Sequence, residues 1–468
     1  MSAPGIVVLD IGKTLAKLTL WSADGELIDR RTRPNGHPTA AAGYPCLDTA
    51  GIEDWMAGVL SDFARQRAIR AIVPVAHGAA AAVLEPGGGF IPPLDYEAEL
   101  PGELWASYLA QRPAFSETGA PSLPSGLNLG AQLHWLEALL PDRFRAGTIV
   151  TWPQFWAWRL CGVAATEVSS FGVHTDLWRP ATGTPSSLAV RRGWAARFAP
   201  LYKASDVLGP VTAAWRARCG LPETCMVYCG LHDSNADLLA LRSHPAIGAR
   251  EHTVISTGTW FIAMRSSPHA VALSDLPEDR DCLVNINPFG MPVPSSRFMG
   301  GRETEILEAA DVAQLDPATQ EAAMLARAAA LVGESVFAVP AFQPGVGPFP
   351  RHPGRWIGRP EDQLGRRAAA SLYLALMLDT SLGLIGAADR LIVQGRFVAD
   401  AVFARALATL RPNQTVMLAP SSNSLCFGAL SLIDPALVPE TALIAVSPLP
   451  FDLRPYAARW CEQLARPF

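Results

Sequence analysis

The hydrophobic pattern opens with strands. Ile6-Val7-Val8-Leu9 is a buried-strand run that ends in the polar turn Asp10-Ile11-Gly12-Lys13-Thr14. Residues 16–21 predict a second strand, Asp24-Gly25 a hairpin turn, and residues 26–31 a third strand. Residues 52–66 then follow a helical period, with Trp55, Val59, Leu60 and Phe63 on one face. Residues 69–75 predict a strand that runs into Ala76-His77-Gly78. A Pro-rich, irregular stretch over 94–125 reads as a surface excursion. A helix is expected over 128–140, and a short Trp-rich one over 152–162, with Pro153 at its start and Gly162 at its end.

Pro/Gly punctuation over 200–225 reads as a linker between halves, after which the opening pattern returns. Met226, Val227 and Tyr228 lead to Gly230-Leu231-His232-Asp233, with a helix starting at about Ser234 as N-cap. Residues 252–256, the turn Thr257-Gly258-Thr259 and residues 260–264 again spell strand, Gly/Thr turn, strand. The chain thus repeats a shape rather than a sequence, which predicts an α/β protein of two similar halves. Helices are expected at Gly300 onward, over 318–332, 366–388 and 399–410, and a closing one over 456–465. Between the last two long helices, Leu391-Ile392-Val393 empties into Gln394-Gly395-Arg396.

Composition narrows the class. At 468 residues and 49% hydrophobic, the chain has material for two large cores and is not a disordered protein. Its net charge of -5 comes without a basic run, which argues against an extended nucleic-acid surface. Eight dispersed cysteines, with a single close pair at Cys225 and Cys229, fit reduced core thiols rather than zinc or disulfides. The first apolar run stops at Asp10 and the apolar stretch 368–378 is too short to span a bilayer, so a cytoplasmic protein without a membrane partner is expected.

The candidate chemistry lies in the turns. In open α/β sheets ligands collect where strands end, and an acid there can accept a proton from a substrate hydroxyl. Asp233 is that candidate; alone, it would as readily be a helix cap. Gly12 allows close approach, its neighbouring amides and the Thr14 hydroxyl can donate to phosphate oxygens, and Lys13 adds a cation. Asp10 could hold Mg²⁺ through water. His77, at a strand end beside Gly78, could touch a polar ligand, and Trp152 and Gln154 could face a polyol. Thr257, Gly258 and Thr259 form a second phosphate turn, and Gly395 fits a close approach by a base or phosphate.

In this order and spacing the motifs resemble the FGGY carbohydrate kinase family over nearly the whole chain. Asp10 to Thr14 is similar to its first phosphate loop, Ala76-His77-Gly78 to its sugar-contacting segment, and Trp152 to Gly162 to a family helix. Gly230 to Asp233 resembles the motif of the catalytic base, Thr257 to Thr259 the second phosphate loop, and Gln394 to Arg396 the adenosine loop. The resemblance implies two actin-like, ribonuclease-H-like domains around a central cleft: a sugar-binding domain over 1–225 and a nucleotide-binding domain over 226–468. It implies ATP and Mg²⁺ as cofactors and a small sugar as partner, and it leaves a homodimer open. It gives Asp233 as general base, with His77, Trp152, Gln154 and His232 toward the sugar and Asp10 toward the metal. Gly12, Lys13, Thr14, Thr257, Gly258, Thr259, Gly345, Gly395 and Arg396 fall toward the nucleotide. His232 and Trp260 look closest to the rhamnulose and fuculose kinase branch. Departures are Lys13 for Thr, Gln154 for Asp, Cys161 for Thr, and Phe397-Val398-Ala399 in the adenosine loop. The competing readings are an ATPase or phosphatase, a sugar or nucleotide sensor with weakened catalysis, and an actin-like chaperone or filament protein.

Overall fold

A computed structural model describes residues 3–242, 244–248, 250–269, 272–308, 317–420, 423–437 and 442–466. The chain forms two compact units. The first takes Met1–Pro245, Val284–Pro292 and Asn423–Pro439; the second takes Ala246–Leu283, Val293–Ser422 and Glu440–Phe468.

In the first unit, alternation of side chains drives the layering. Strand β1 (Gly5–Ile11) pairs antiparallel with β2 (Leu15–Trp21), and β2 with β3 (Leu27–Pro34). Ile6 and Val8 point to one face of the sheet, Val7, Leu9 and Ile11 to the other. The second face is covered by α1 (Thr49–Gln66) and the Trp152–Cys161 helix, which bury Ile52, Met56, Leu60, Phe63, Phe155 and Trp156 against it. The first face carries the Asp233–Arg242 and Ser424–Ser431 helices, through Ala236, Leu239, Phe427 and Leu430. Strand β4 (Ile69–Ala76) runs parallel to β1. Met226–Tyr228 and then Leu231–His232 run parallel to β4, and Val207–Pro210 closes that edge antiparallel.

Residues 200–225 are therefore no linker. They supply the Val207–Pro210 edge strand and the Ala213–Cys219 helix, whose Trp215 is buried and donates its indole N–H to Arg159 O at 2.7 Å. Edge strands this short tolerate Gly and Pro, which is why their sequence reads as a connector. The chain changes units after Pro245 rather than at 225, so Asp233 lies in the first unit. The excursion over 94–125 also holds two helices, Gly102–Leu109 and Phe115–Thr118.

The second unit repeats the plan. Pro292–Phe298, Phe261–Ser266 and His252–Thr257 form an antiparallel succession, followed by parallel Arg390–Gly395 and Thr415–Ala419, then antiparallel Ile444–Ala445. Antiparallel triplet plus parallel strands is the order of the first sheet, so the repeated shape read from the sequence is a repeated topology. The long helix Gln363–Leu384 begins at Asp362, whose side chain accepts the Gly365 N–H at 2.6 Å. All eight cysteines are free, and no described helix is long and apolar enough to cross a membrane.

The helix that begins at Asp233 packs unusually close to its neighbour. A Cβ on Gly428 would lie 1.9 Å from the Ala236 carbonyl oxygen. Alanine favours a helix over glycine by ~1 kcal/mol, but forcing apart two packed backbones costs ~1–3 kcal/mol or more. The steric cost wins because the obstacle is backbone. Gly428→Ala is expected to lower the free energy of unfolding by about 2 kcal/mol in thermal or denaturant melts, whereas Gly333→Ala, which meets nothing within 4 Å, should not destabilise.

Candidate active site

Three parallel strand ends meet at one edge of the first sheet. Asp10 and Leu231 both stand level with Val75, and Ile11 and His232 with Ala76. Asp10, His77 and Asp233 therefore emerge together at the carboxyl ends of the strands.

Asp233 begins its helix, which starts one residue before the expected N-cap Ser234. Its Oδ1 accepts from the Ser234 N–H at 2.5 Å, the Ser234 hydroxyl at 3.2 Å and His232 Nε2 at 3.0 Å. Oδ2 accepts no hydrogen bond from the described residues, and the side chain is 26% exposed. Burial alone would raise its pKa. Electrostatic attraction and a hydrogen bond from His232, then His77 and the Ser234 amide, outweigh burial and hold it below the ordinary carboxylate value. It is ionised at neutral pH with one oxygen free.

Asp10 pairs with Lys17 at 2.7 Å. Burial pushes its pKa up, Lys17 opposes this, and the charge of Asp233 adds to it. His77 is buried, with Nδ1 2.9 Å from Gly78 O. Burial lowers its pKa, and neighbouring His232 and Lys13 add to that, so the ring is neutral at pH 7. Its neighbours are Tyr96 and Trp152, at centroid distances of 5.5 and 6.1 Å.

Some expected ligand contacts are occupied by the protein itself. Gln154 is fully buried. Its Nε2 donates to Cys229 O at 3.0 Å and Gly230 O at 3.1 Å, while its Oε1 accepts from the Thr151 hydroxyl at 2.5 Å. It braces the turn before Asp233 and has no group left for a polyol. Trp152 is 1% exposed and stacks on Phe155. It lines, with Gly12, Lys13 and His77, a cavity of about 10 Å³, the size of a single water. The Lys13 ammonium is 2.7 Å from Asp95 and 3.4 Å from Glu97, which absorb its charge. His232 is likewise spent on Asp233 and Asn235.

The two Gly/Thr turns are built alike. Gly12 N–H donates to Leu15 O and Gly258 N–H to Trp260 O, both at 3.0 Å. Each leaves an exposed threonine, Thr14 and Thr259, whose hydroxyl has no partner among the described residues. Asn35, which the sequence did not single out, props the first turn through Nδ2 to Gly12 O at 2.8 Å and Lys13 O at 3.2 Å. Gly301 does the corresponding work in the second unit. A Cβ there would lie 2.2 Å from Gly258 O, so only glycine lets the Gly300–Glu308 helix start against the turn. Thr257 is a strut: its hydroxyl donates to Gln394 O at 2.6 Å and accepts the Phe397 N–H at 3.0 Å.

Gly395 has φ of 92°, and a Cβ there would meet Thr257 O at 2.3 Å. The close approach read from the sequence is real, but the backbone approached is the protein's own strand. Arg396 is exposed and lies 3.8 Å from Glu305. Gly345 sits in a loop closed by its own N–H to Pro350 O at 3.0 Å. Beyond Gly395 a cavity of about 290 Å³ opens, walled by Val398, Ala401, Ala404, Leu418, Ile444 and Val446, with the Arg405–Glu321 pair also lining it. Its walls come from segments far apart in the chain, which no local motif announces.

Comparisons with known proteins agree with this picture. The model of the carbohydrate kinase FGGY C-terminal domain matches residues 249–441. A carbohydrate kinase from Novosphingobium aromaticivorans is similar at 47% identity and TM-score 0.94, covering 98% of this chain and 99% of that one. Xylulose kinase from Rhodospirillum rubrum shares the fold at 19% identity and TM-score 0.77, covering 98% of each chain. Plasmodium falciparum glycerol kinase with ADP does so at 12% identity and TM-score 0.78, covering 99% of this chain and 98% of that one. No curated protein sequence matches the chain. Two units of repeated topology, a free-oxygen aspartate at the strand ends, and a relative nearly half identical over its full length lead to one conclusion: the chain belongs to the FGGY family of carbohydrate kinases.

Proposed function

We propose that the chain transfers the terminal phosphoryl group of ATP to a primary hydroxyl of a ketose or polyol, with Asp233 as general base. The observation that carries the reading is the asymmetry of the Asp233 carboxylate. Three donors hold Oδ1, while Oδ2 of this ionised, part-exposed side chain accepts no hydrogen bond among the described residues. Phosphoryl transfer asks the protein for positioning and charge neutralisation more than covalent chemistry. Oδ2 accepts the hydroxyl proton as the oxygen–phosphorus bond forms. Neutral His77, whose Nδ1–H donates to Gly78 O at 2.9 Å, can accept a sugar hydroxyl at Nε2 without adding charge.

For Mg²⁺ the donor set fits. Among the described residues no three His, Cys, Asp or Glu are grouped as a metal site, but Mg²⁺ typically keeps several waters and uses one or two carboxylates. Asp10, whose Oδ2 pairs with Lys17 at 2.7 Å and whose pKa burial pushes up, would hold it through water. The ion would supply neutralisation of phosphate charge. In the second unit, the Thr257–Thr259 turn and the adjoining helix start suit phosphate oxygens, and the 290 Å³ cavity is close to the ~300 Å³ at which small-molecule pockets begin. We assign the nucleoside to that cavity.

Because His232 is engaged within the protein, it does not argue for a deoxy-ketose over other acceptors. ADP release measured over rhamnulose, fuculose, xylulose, glycerol and gluconate decides the acceptor; no stimulation by any sugar or polyol would favour an ATPase.

Asp233→Asn keeps the size and the capping ability of the side chain but cannot take a proton. Turnover on the best acceptor is expected to fall by ~10²–10⁴, with Mg-ATP binding retained. Near-normal turnover would reduce Asp233 to a helix cap. For the nucleotide, Gly258→Val is a clean probe: a Cβ there meets only Trp260 O, at 3.8 Å, so the fold should stand. Saturating Mg-ATP at 100 times Kd should stabilise the wild type by about 2.7 kcal/mol, and the variant should lose that thermal shift. A shift that survives would move the phosphates away from this turn.

A further inference from the structure

His232 lies between two groups that together dictate where its proton sits. Asn235 is fully buried, and its Nδ2 is 3.0 Å from His232 Nδ1. On the other side, His232 Nε2 is 3.0 Å from Asp233 Oδ1. An amide N–H donates, so in the neutral ring Nδ1 is the acceptor and Nε2 carries the hydrogen. Turning the Asn235 amide round would put the ring proton on Nδ1. The Nε2 lone pair would then face a carboxylate oxygen, which is repulsive. The backbone is fixed as well. His232 N–H donates to Ser169 Oγ at 3.2 Å, and the Ser169 hydroxyl donates to buried Glu167 at 2.5 Å. Both ring nitrogens are engaged and the residue is 5% exposed, which leaves no atom for a sugar hydroxyl.

We infer that His232 is a positioning residue for Asp233, and that Asn235, donating to Nδ1, holds the ring with its Nε2–H on Asp233. The imidazole N–H occupies Oδ1 and fixes the carboxylate plane, so Oδ2 alone is presented to the acceptor. Without it the carboxylate could rotate and offer either oxygen, and a misplacement of about 1 Å at a reacting group can cost ~10²-fold in rate. The inference rests on Asp233 being the base.

Four variants and one spectrum test it. His232→Leu should lower kcat by ~10–10² with the sugar KM unchanged. His232→Gln, whose terminal amide can donate from about the place of Nε2, should recover most of that loss. Asn235→Leu should slow turnover in the same sense. Because Asn235 acts through the ring, His232→Leu/Asn235→Leu should be no slower than His232→Leu alone. Nitrogen-15 histidine spectra at about pH 8.5, above the ordinary imidazole range, should show His232 as the Nε2–H tautomer in the wild type, the one tautomer that suits both the Asn235 donor and the Asp233 carboxylate. That spectrum is read without turnover, so it stands if either leucine variant folds poorly.

A raised sugar KM with kcat intact in His232→Leu would make His232 a substrate contact and overturn the inference. So would an additive double variant, or an Nδ1–H tautomer in the wild type. A fully active Asp233→Asn would instead sink the base assignment while leaving the tautomer result readable by itself.

Discussion

The first unit depends on the chain squeezing past β4 at Gly230. With φ of 75° and a would-be Cβ 1.9 Å from Pro74 O, the position admits glycine alone. That passage lets Leu231–His232 resume pairing with β4 after Met226–Tyr228 has left it, and it delivers Asp233 beyond the strand end. A buried turn of this kind must find partners for its own amides. Cys229 and Gly230 donate to Asp206 O and Ala204 O, and Gln154 accepts the task of satisfying both of their carbonyls. Leaving either carbonyl unpaired would cost about 1–3 kcal/mol. Gln154 is thus the side chain that makes so tight a turn affordable, from a helix 75 residues away in sequence.

This explains what the sequence could and could not reveal. The turn at Asp10, the turn at Thr257 and the acid at Asp233 are local signals, because strand alternation, Gly and small hydroxyls act over a few residues. The repeated topology followed from them. What the residues do with their polar atoms is decided by partners far along the chain. Lys13 looks like a phosphate cation until Asp95, 82 residues on, takes its charge. Gly395 looks like a ligand contact until Thr257 is seen beneath it. Gln154 and Trp152 look like a polyol surface until burial removes them. The stretch over 200–225 resembles a linker for a different reason: a short edge strand rich in Gly and Pro carries the composition of a connector.

Several buried and half-buried acids lie near the Asp233 turn, and their surroundings drive their pKa values apart. Burial pushes Glu167 up to about 7 and Asp237 up to about 6, against the pull of their hydroxyl partners Ser169 and Ser424. Glu167 is fully buried, and Asp237, half-buried with one oxygen held by the Ser424 hydroxyl, has its pKa pushed up where that of Asp233 is held down. Asp10 is tied to Lys17. Asp233 combines ionisation, exposure and a fixed plane, and it owes all three to its neighbours rather than to its residue type.

A lowered pKa makes Asp233 a weaker base, at odds on its face with the role proposed for it. The chemistry resolves this. In a loose phosphoryl-transfer transition state the attacking oxygen has formed little bond, so its hydroxyl has gained little acidity and the proton moves late. A strong base would gain little there, whereas a carboxylate oxygen aimed at the hydroxyl orients the nucleophile throughout. The donors that depress the pKa are the same ones that fix the aim. On the proposed mechanism, base strength is given up for direction, which phosphoryl transfer rewards more.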